Sequence, residues 1–440
     1  MTPWTTAQAE RHLHSLELFG MRFGLDRMRR MMTALGSPQR RFDAIHVVGT
    51  NGKTSTTRMT AAILERHGLR TGAYLSPHLV SYCERVQIGG RDLDADAFAA
   101  AVARAARAEE QVNRTLAEDD HVTQFELLTA AALSEMAERD VQVAAIEAGL
   151  GGRYDATSVI DARVTVLTNV SLEHTRWLGP TLTDIAEEKL AVVRPGGTLV
   201  LGAWLVEEAL AVAERVAGER GARIVRVDVP SVNAESSAAS PAAKGAFQRR
   251  NFALARAAAA AYLRGAQVEL DEQAVRAAAA ATEVPGRLQV VSERPLTVLD
   301  SAHNPDAIAA LLQSLPEILD GRAVALVMGV LEDKDAANML AALLPICERA
   351  WFTAPPSPRA LSPATLQSLA RQLGFDAVAC DRSKIVQHPE RALAEASRWA
   401  GEHPDGRAVI ATGSVYLIGD LLRLLDASDT LPRRQAAPQS

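Results

Sequence analysis

A two-domain α/β fold is what this sequence predicts, and three observations carry the prediction. From Phe42 onward, short apolar runs alternate with longer helical stretches. A glycine-containing turn, "GTNGKT", separates the first apolar run from the first of those helices. A second alternating series begins after residue 291, and 440 residues exceed what one core ordinarily supports.

"AIHVV" (44–48) predicts a buried strand, and "TSTTRMTAAILERHG" predicts the helix after the turn, ended by Gly68. "VQVAAI" (141–146) and "RVTVLT" (163–168) predict further strands, and 181–193 predicts a helix stopped by Pro195-Gly196-Gly197. The Ser, Ala and Pro content of 227–245 predicts a surface excursion, and the alanine-rich stretch 253–282 predicts helix. Strands follow at 296–300, 323–330, 350–354, 377–380 and 408–412, and the series ends near Leu425. The tail 428–440 predicts disorder. A boundary at Glu293-Arg294-Pro295 gives domains 1–293 and 296–427.

Charge and composition exclude several classes. Lys and Arg total 47 against 53 Asp and Glu, a net charge of −6 with no basic excess for nucleic acid. Cys83, Cys347 and Cys380 form no C-x-x-C pair, which suits a reducing compartment and suggests no zinc site. The N-terminus lacks a signal-peptide apolar core, and no apolar run suggests a membrane span. A cytoplasmic protein is expected.

The turn is shorter than a Walker A loop: Gly49 and Gly52-Lys53 are separated only by Thr50 and Asn51. Its glycines let backbone N–H groups converge on phosphate oxygens at a helix N-terminus. Lys53 could bridge phosphates, and Thr54 or Ser55 could hold Mg²⁺. Glu147 ends a strand, where an acidic residue can hold Mg²⁺; a solvated loop carboxylate is the plainer reading. His174 follows another strand, and alone such a histidine is more often structural. Lys189, beside Glu187 and Glu188, reads as a surface lysine. In "LDSAHNPDAI", Asp300 and Asn304 could hold ribose or base, and His303 could face a phosphate or carboxylate. An Asx turn capping a helix fits the same residues. Arg287, in "VPGRL", could reach phosphates.

Together these motifs resemble the folylpolyglutamate synthase/dihydrofolate synthase family, within the Mur-type ATP-dependent amide ligases. The resemblance runs from "FGLDRM" to "ATGSVYLIGDLL" through "HVVGTNGKTS", "YLSPHLVSYCERV", "TQFELLTAAAL", "IEAGLGGRYDAT", "HTRWLGPTLTDIAEEKLAVVRPG", "LDSAHNPDA" and "GVLEDKD". It implies an N-terminal P-loop ATPase domain with a mainly parallel sheet and a smaller C-terminal Rossmann-like α/β domain. It also implies glutamate ligation: a substrate carboxylate attacks the γ-phosphate of ATP, and the amine of L-glutamate then displaces phosphate. Two domains closing on a cleft would keep water from the acyl phosphate.

Carried onto this sequence, the resemblance implies that Gly49, Thr50, Asn51, Gly52, Lys53, Thr54, Ser55, Asn251, Arg287 and Asp300 contact ATP. It implies Ser76, Glu147 and Thr54 or Ser55 as ligands of one Mg²⁺, and His174 at a second. Lys189 matches a lysine that is carbamylated into a metal ligand. Lys53, His174, Lys189 and His303 are the implied catalytic residues, and His303 and Ser414 the implied glutamate contacts. Arg27, Thr123, Gln124, Phe125, Glu126, Arg153, Tyr154 and Asp155 match the pteroate-binding stretches. Glu173 stands where many members carry Asp. A Mur-type peptidoglycan ligase is disfavoured because 48 residues precede Gly49, and a non-catalytic nucleotide-binding regulator is disfavoured by the full set of candidate residues. Dihydropteroate and reduced folate remain alternative acceptors, a bifunctional enzyme being the expectation and a monofunctional folylpolyglutamate synthase the alternative. A monomer is expected from the family.

Overall fold

The computed structural model describes residues 3–16, 24–228, 241–375 and 382–427. The predicted strand at 377–380 with Cys380, residues 229–240 of the surface excursion, Phe23 of "FGLDRM" and the tail 428–440 lie outside the described residues. Contacts divide the chain into two compact units, Met1–Ala242 with Gln248–Glu283 and Ala243–Phe247 with Val284–Ser440.

The first unit is built on strands β1 (Asp43–Val48), β2 (Thr71–Tyr74), β3 (Val86–Ile88), β4 (Arg91–Asp92), β5 (Val143–Glu147), β6 (Ala162–Leu167), β7 (Thr198–Gly202) and β8 (Arg223–Val227). They form one sheet in the order β4-β3-β2-β5-β1-β6-β7-β8. All neighbours pair parallel except at the edge, where β3 pairs antiparallel with β2 and with β4. Helices cover both faces of the central strands, so β1, β2, β5, β6 and β7 are buried along most of their length, whereas the edge strands β4 and β8 carry exposed arginines. Along β5, Ala144 and Ile146 join a core with Leu13, Met28, Phe98 and Leu127 from the N-terminal helices. Ala145, on the other face, packs with Ala61 of the helix Lys53–Arg66. Val48 and Leu167 meet Ile185 and Leu190 of the helix Leu182–Leu190 in a further core.

The sheet order sets the site. Because β5, β1 and β6 are neighbours, their carboxyl ends bring Glu147, the Gly49–Gly52 turn and the segment from Thr168 to one rim.

The second unit carries β9 (Gln289–Glu293), β10 (Leu296–Leu299), β11 (Ala323–Met328), β12 (Cys347–Phe352), β13 (Ser383–Ile385) and β14 (Arg407–Thr412), ordered β13-β12-β11-β14-β10-β9. β9 pairs antiparallel with β10, and the other pairings are parallel. The predicted boundary at Glu293-Arg294-Pro295 therefore lies inside a hairpin, since Glu293 pairs with Leu296; the contacts put the division before Val284.

The stretch predicted as helix over 253–282 is two helices, Ala246–Gly265 and Glu272–Ala281. Between them Gln267 takes a φ of 59°. Asp271 then caps the second helix by accepting the Gln273 N–H at 2.8 Å. No helix among the described residues is long and apolar enough to cross a membrane.

Candidate active site

The turn after β1 needs its glycines. Gly49 has a φ of 148°, and a Cβ there would stand 1.9 Å from the Thr168 hydroxyl oxygen. Gly52 has a φ of 82°, and a Cβ there would meet Asn251 Oδ1 at 2.4 Å. Close packing thus brings Asn251 against the turn, its own Nδ2 donating to Gln248 Oε1 at 3.0 Å. Asn169 Oδ1 accepts the N–H groups of Thr50 at 3.2 Å and Asn51 at 2.7 Å. The Thr168 hydroxyl donates to Asn51 O at 2.6 Å. Neither Thr168 nor Asn169 was singled out in the sequence, although "LTNV" at the end of β6 puts both beside β1.

Two lysines hold the same turn. Lys53 Nζ donates to Thr50 O at 3.0 Å, and Lys189 Nζ to Gly49 O at 2.8 Å. Lys189 is buried, which corrects its reading as a surface lysine. It lies on the face of its helix that also buries Ile185 and Ala186, where the flanking glutamates gave no clue. Burial, with the charge of Lys53 adding to it, brings its pKa down to about 7; Glu173 and Asp155 oppose the shift.

Glu147 is buried, with one carboxylate oxygen accepting the Thr54 hydroxyl at 2.9 Å and the other the Ser76 N–H at 3.1 Å. The geometry thus brings together Thr54, Ser76 and Glu147, while Ser55 is buried in the first turn of the helix. Hydroxyl and carboxylate oxygens of this kind suit a hard divalent cation. No group of three His, Cys, Asp or Glu side chains forms a metal cluster among the described residues. His174, with a φ of 54°, caps the short helix Thr175–Leu178, its Nε2 lying 3.9 Å from Glu173.

The predicted pteroate residues separate into two kinds. Thr123 and Glu126 form a reciprocal cap on the helix Gln124–Glu138, and Arg27 Nε donates to both Glu126 oxygens at 3.1 Å and its Nη1 to Asp120 at 3.0 Å. Gln124 donates to Leu13 O at 3.0 Å and to the Tyr82 hydroxyl at 3.3 Å. These groups hold the local structure. Phe125, by contrast, lies against the "GLGGRYD" turn: a Cβ on Gly149 would be 2.5 Å from its ring. In that turn Asp155 is buried and accepts the Leu150 N–H at 2.8 Å. Tyr154 is exposed, and exposed Arg153 donates to Glu188 at 2.7 Å.

In the second unit, β10 and β14 are neighbours, so the Asp300–Asn304 segment and Ser414 stand at adjacent carboxyl ends. Asp300 accepts the N–H groups of Leu288 at 2.7 Å and Ala302 at 2.8 Å. Burial raises its pKa, against the opposing charge of Arg287. His303 Nδ1 donates to Ser301 O at 2.9 Å. Asn304 caps the helix Pro305–Ser314 by accepting the Ala307 N–H at 2.8 Å, the capping role its Asx-turn context allowed. Ser414 is buried, its hydroxyl accepting the Tyr416 N–H at 3.2 Å.

A short phosphate loop at the rim of a parallel sheet, beside a buried carboxylate and followed by a second α/β unit, defines an ATP-dependent ligase of the Mur type. The Mur ligase middle domain matches residues 47–203, and the Mur ligase glutamate ligase domain matches residues 286–415. The chain belongs, more particularly, to the folylpolyglutamate synthase/dihydrofolate synthase family. It is 33% identical to folylpolyglutamate synthase of Lacticaseibacillus casei, covering 92% of this chain and 95% of that protein. It is also 33% identical to dihydrofolate synthase/folylpolyglutamate synthase of Escherichia coli, covering 97% and 96%. Among solved structures, Mycobacterium tuberculosis folylpolyglutamate synthase complexed with ADP and AMPPCP superposes with a TM-score of 0.87 at 32% identity, over 95% of this chain and 98% of that one. E. coli FolC in complex with DHPP and ADP gives 0.82 at 29% identity, over 97% and 99%. A bifunctional folylpolyglutamate synthase/dihydrofolate synthase with Mn, AMPPNP and L-glutamate bound gives 0.81 at 30% identity, over 97% and 98%.

Proposed function

We propose that this chain joins L-glutamate to dihydropteroate and to reduced folates at the expense of ATP, through an acyl phosphate. The observation that carries the reading is the Glu147 carboxylate, held by the Thr54 hydroxyl and the Ser76 N–H beside the Gly49–Lys53 loop. Ligands bound to the family's solved members, nucleotide, Mn and L-glutamate, support it.

In this reading the loop N–H groups and Lys53 cradle the triphosphate, and Asn251 contacts the nucleotide. Thr54, Ser76 and Glu147 hold one Mg²⁺, with Thr54 favoured over Ser55 because its hydroxyl lies on Glu147. His174 and Lys189 serve a second. Bound Mg²⁺ would screen the incoming carboxylate from the triphosphate. An acceptor carboxylate oxygen attacks the γ-phosphorus, the bond to the bridging oxygen breaks, and ADP leaves. The glutamate nitrogen then attacks the acyl carbon, expels phosphate and gives up a proton as the amide forms.

Phe125 offers the pterin-bearing acceptor an apolar surface, and Arg153, Tyr154 and Asp155 offer polar groups. Arg287 and Asp300 serve the nucleotide, and His303 and Ser414 the glutamate. Carbamylation of Lys189 fits a buried amine whose pKa near 7 leaves much of it neutral and nucleophilic towards CO₂. The enzyme acts as a cytoplasmic monomer.

Phosphate release from ATP and L-glutamate, compared with dihydropteroate and with tetrahydrofolate as acceptor, tests the assignment. Release with both supports the bifunctional enzyme, and release with tetrahydrofolate alone makes it a monofunctional folylpolyglutamate synthase. Silence with both, with ADP still bound, overturns the reading.

A further inference from the structure

A histidine that nothing in the reaction uses is buried on β1, three residues before Gly49. His46, on β1, is 1% exposed, and its Nε2 lies 2.8 Å from the Thr157 hydroxyl. That hydroxyl, fully buried, lies 2.5 Å from Asp155 Oδ1, which also accepts the Thr157 N–H at 3.0 Å. Asp155 Oδ2 accepts the Leu150 N–H at 2.8 Å, and the Gly149 N–H adds to the donors around the same carboxylate.

The proton count orders this chain. A threonine hydroxyl has one hydrogen to give. Burial raises the Asp155 pKa, and the Thr157, Leu150 and Gly149 donors around the carboxylate oppose that rise. When Asp155 is ionised and accepting, the Thr157 proton points to it, so Thr157 accepts from His46, whose ring then carries its hydrogen on Nε2. Burial, with the charge of Arg194 adding to it, holds the imidazole near a pKa of 3, so the ring stays neutral at physiological pH. The Asp155 end of the chain closes the turn 149–155. That turn is the one whose Gly149 has no room for a Cβ against Phe125.

We infer that His46 is a positioning residue for acceptor recognition: through Thr157 it orients Asp155, and through Asp155 it sets the turn that backs Phe125. The inference rests on the reading of Phe125 and Asp155 as acceptor contacts. It assigns specificity, rather than phosphate binding, to a side chain on the strand that leads into the phosphate loop. A network of this kind is rigid only when each member is satisfied, so loss of one donor loosens the carboxylate at its far end.

Steady-state kinetics with dihydropteroate test it in Thr157→Val, Thr157→Ser, His46→Leu, His46→Gln and Asp155→Asn, with thermal melts showing that each variant folds. Glutamine places a donor where the imidazole Nε2 stood. The expected result is a rise of about tenfold in KM for dihydropteroate in Thr157→Val and His46→Leu, the scale of one buried hydrogen bond. KM for ATP and kcat should stay within about twofold. Thr157→Ser and His46→Gln should return KM for the acceptor most of the way. An unchanged acceptor KM in Thr157→Val and His46→Leu, with Asp155→Asn raised, overturns the inference and leaves the acceptor reading standing. A parallel rise in KM for ATP also overturns it, because His46 would then support the phosphate loop. An unchanged acceptor KM in Asp155→Asn removes the acceptor reading itself, and the inference with it.

Discussion

Lys189 Nζ donates to the carbonyl of Gly49 at 2.8 Å, across 140 residues of sequence. The next carbonyl, that of Thr50, accepts from Lys53 at 3.0 Å. The helix Leu182–Leu190, through its buried face, and the helix that follows β1 thus grip the same two-residue stretch, and the grip ties a candidate metal-binding lysine to the candidate phosphate loop.

If Lys189 serves the reaction, Lys189→Ala should lower the ligase rate by about 10²-fold or more, the scale seen when one preorganised group is removed from a polar site. Bicarbonate should not restore it, because the amine is gone. A near-normal rate would return Lys189 to a purely structural role.

The depressed pKa of Lys189 has a signed consequence for stability. The amine titrates near 10.5 unfolded and about 7 folded, so between those values the unfolded chain binds the extra proton. Stability should therefore rise with pH across that window, and the cost of burying the charged amine is fully felt below pH 7. In CO₂-free buffer, the wild type should gain stability relative to Lys189→Met as pH increases from about 7 to about 10. A constant difference between them would refute the linkage.

Glu147→Gln keeps the shape of the side chain and removes its charge. The Mg²⁺ concentration for half-maximal activity should increase by about 100-fold, while metal-free ADP affinity, measured by calorimetry, stays within a few-fold. An unchanged metal requirement would move the metal away from Glu147.

Gly49→Ala tests the turn. The added methyl would strike the Thr168 hydroxyl, itself the donor to Asn51 O, in a backbone conformation that L residues rarely adopt. A loss of about 2 kcal/mol of stability and a weakened ADP complex are expected. Wild-type ADP affinity with unchanged melting would contradict the packing.

Arg27 pairs with buried Glu126 and with Asp120. Arg27→Met leaves the Glu126 charge buried without its guanidinium, and chemical denaturation should register a loss of about 3 kcal/mol. A change in acceptor KM with no change in stability would instead favour direct contact between Arg27 and the acceptor.

Much of the rim was legible in the sequence because it follows from topology. Apolar runs ending in Gly49-Lys53, Glu147 and His174 predict parallel strands whose carboxyl ends carry the chemistry, and β5-β1-β6 are neighbours. Lys189 was not legible by itself: glutamates on either side give a solvent-facing pattern, and only packing reveals which face the sheet covers. The break in the alanine-rich stretch is marked only by Gly265, which ends the first helix, and Asp271, which caps the second, and the alanines on both sides outweigh those two signals. The hairpin at Arg294-Pro295 resembled a linker because a tight turn and a domain boundary use the same residues. His46 and Thr157 were invisible for a different reason, since a polar side chain inside a strand announces no partner 111 residues away.

The most direct measurement is an isotope transfer. Dihydropteroate labelled with heavy oxygen in its carboxylate is incubated with ATP, Mg²⁺ and L-glutamate, and the released phosphate is analysed by mass spectrometry. An acyl phosphate requires one labelled oxygen to leave with each phosphate formed. Phosphate that carries no label while ATP is consumed would contradict ligation through the acceptor carboxylate, and with it the central claim.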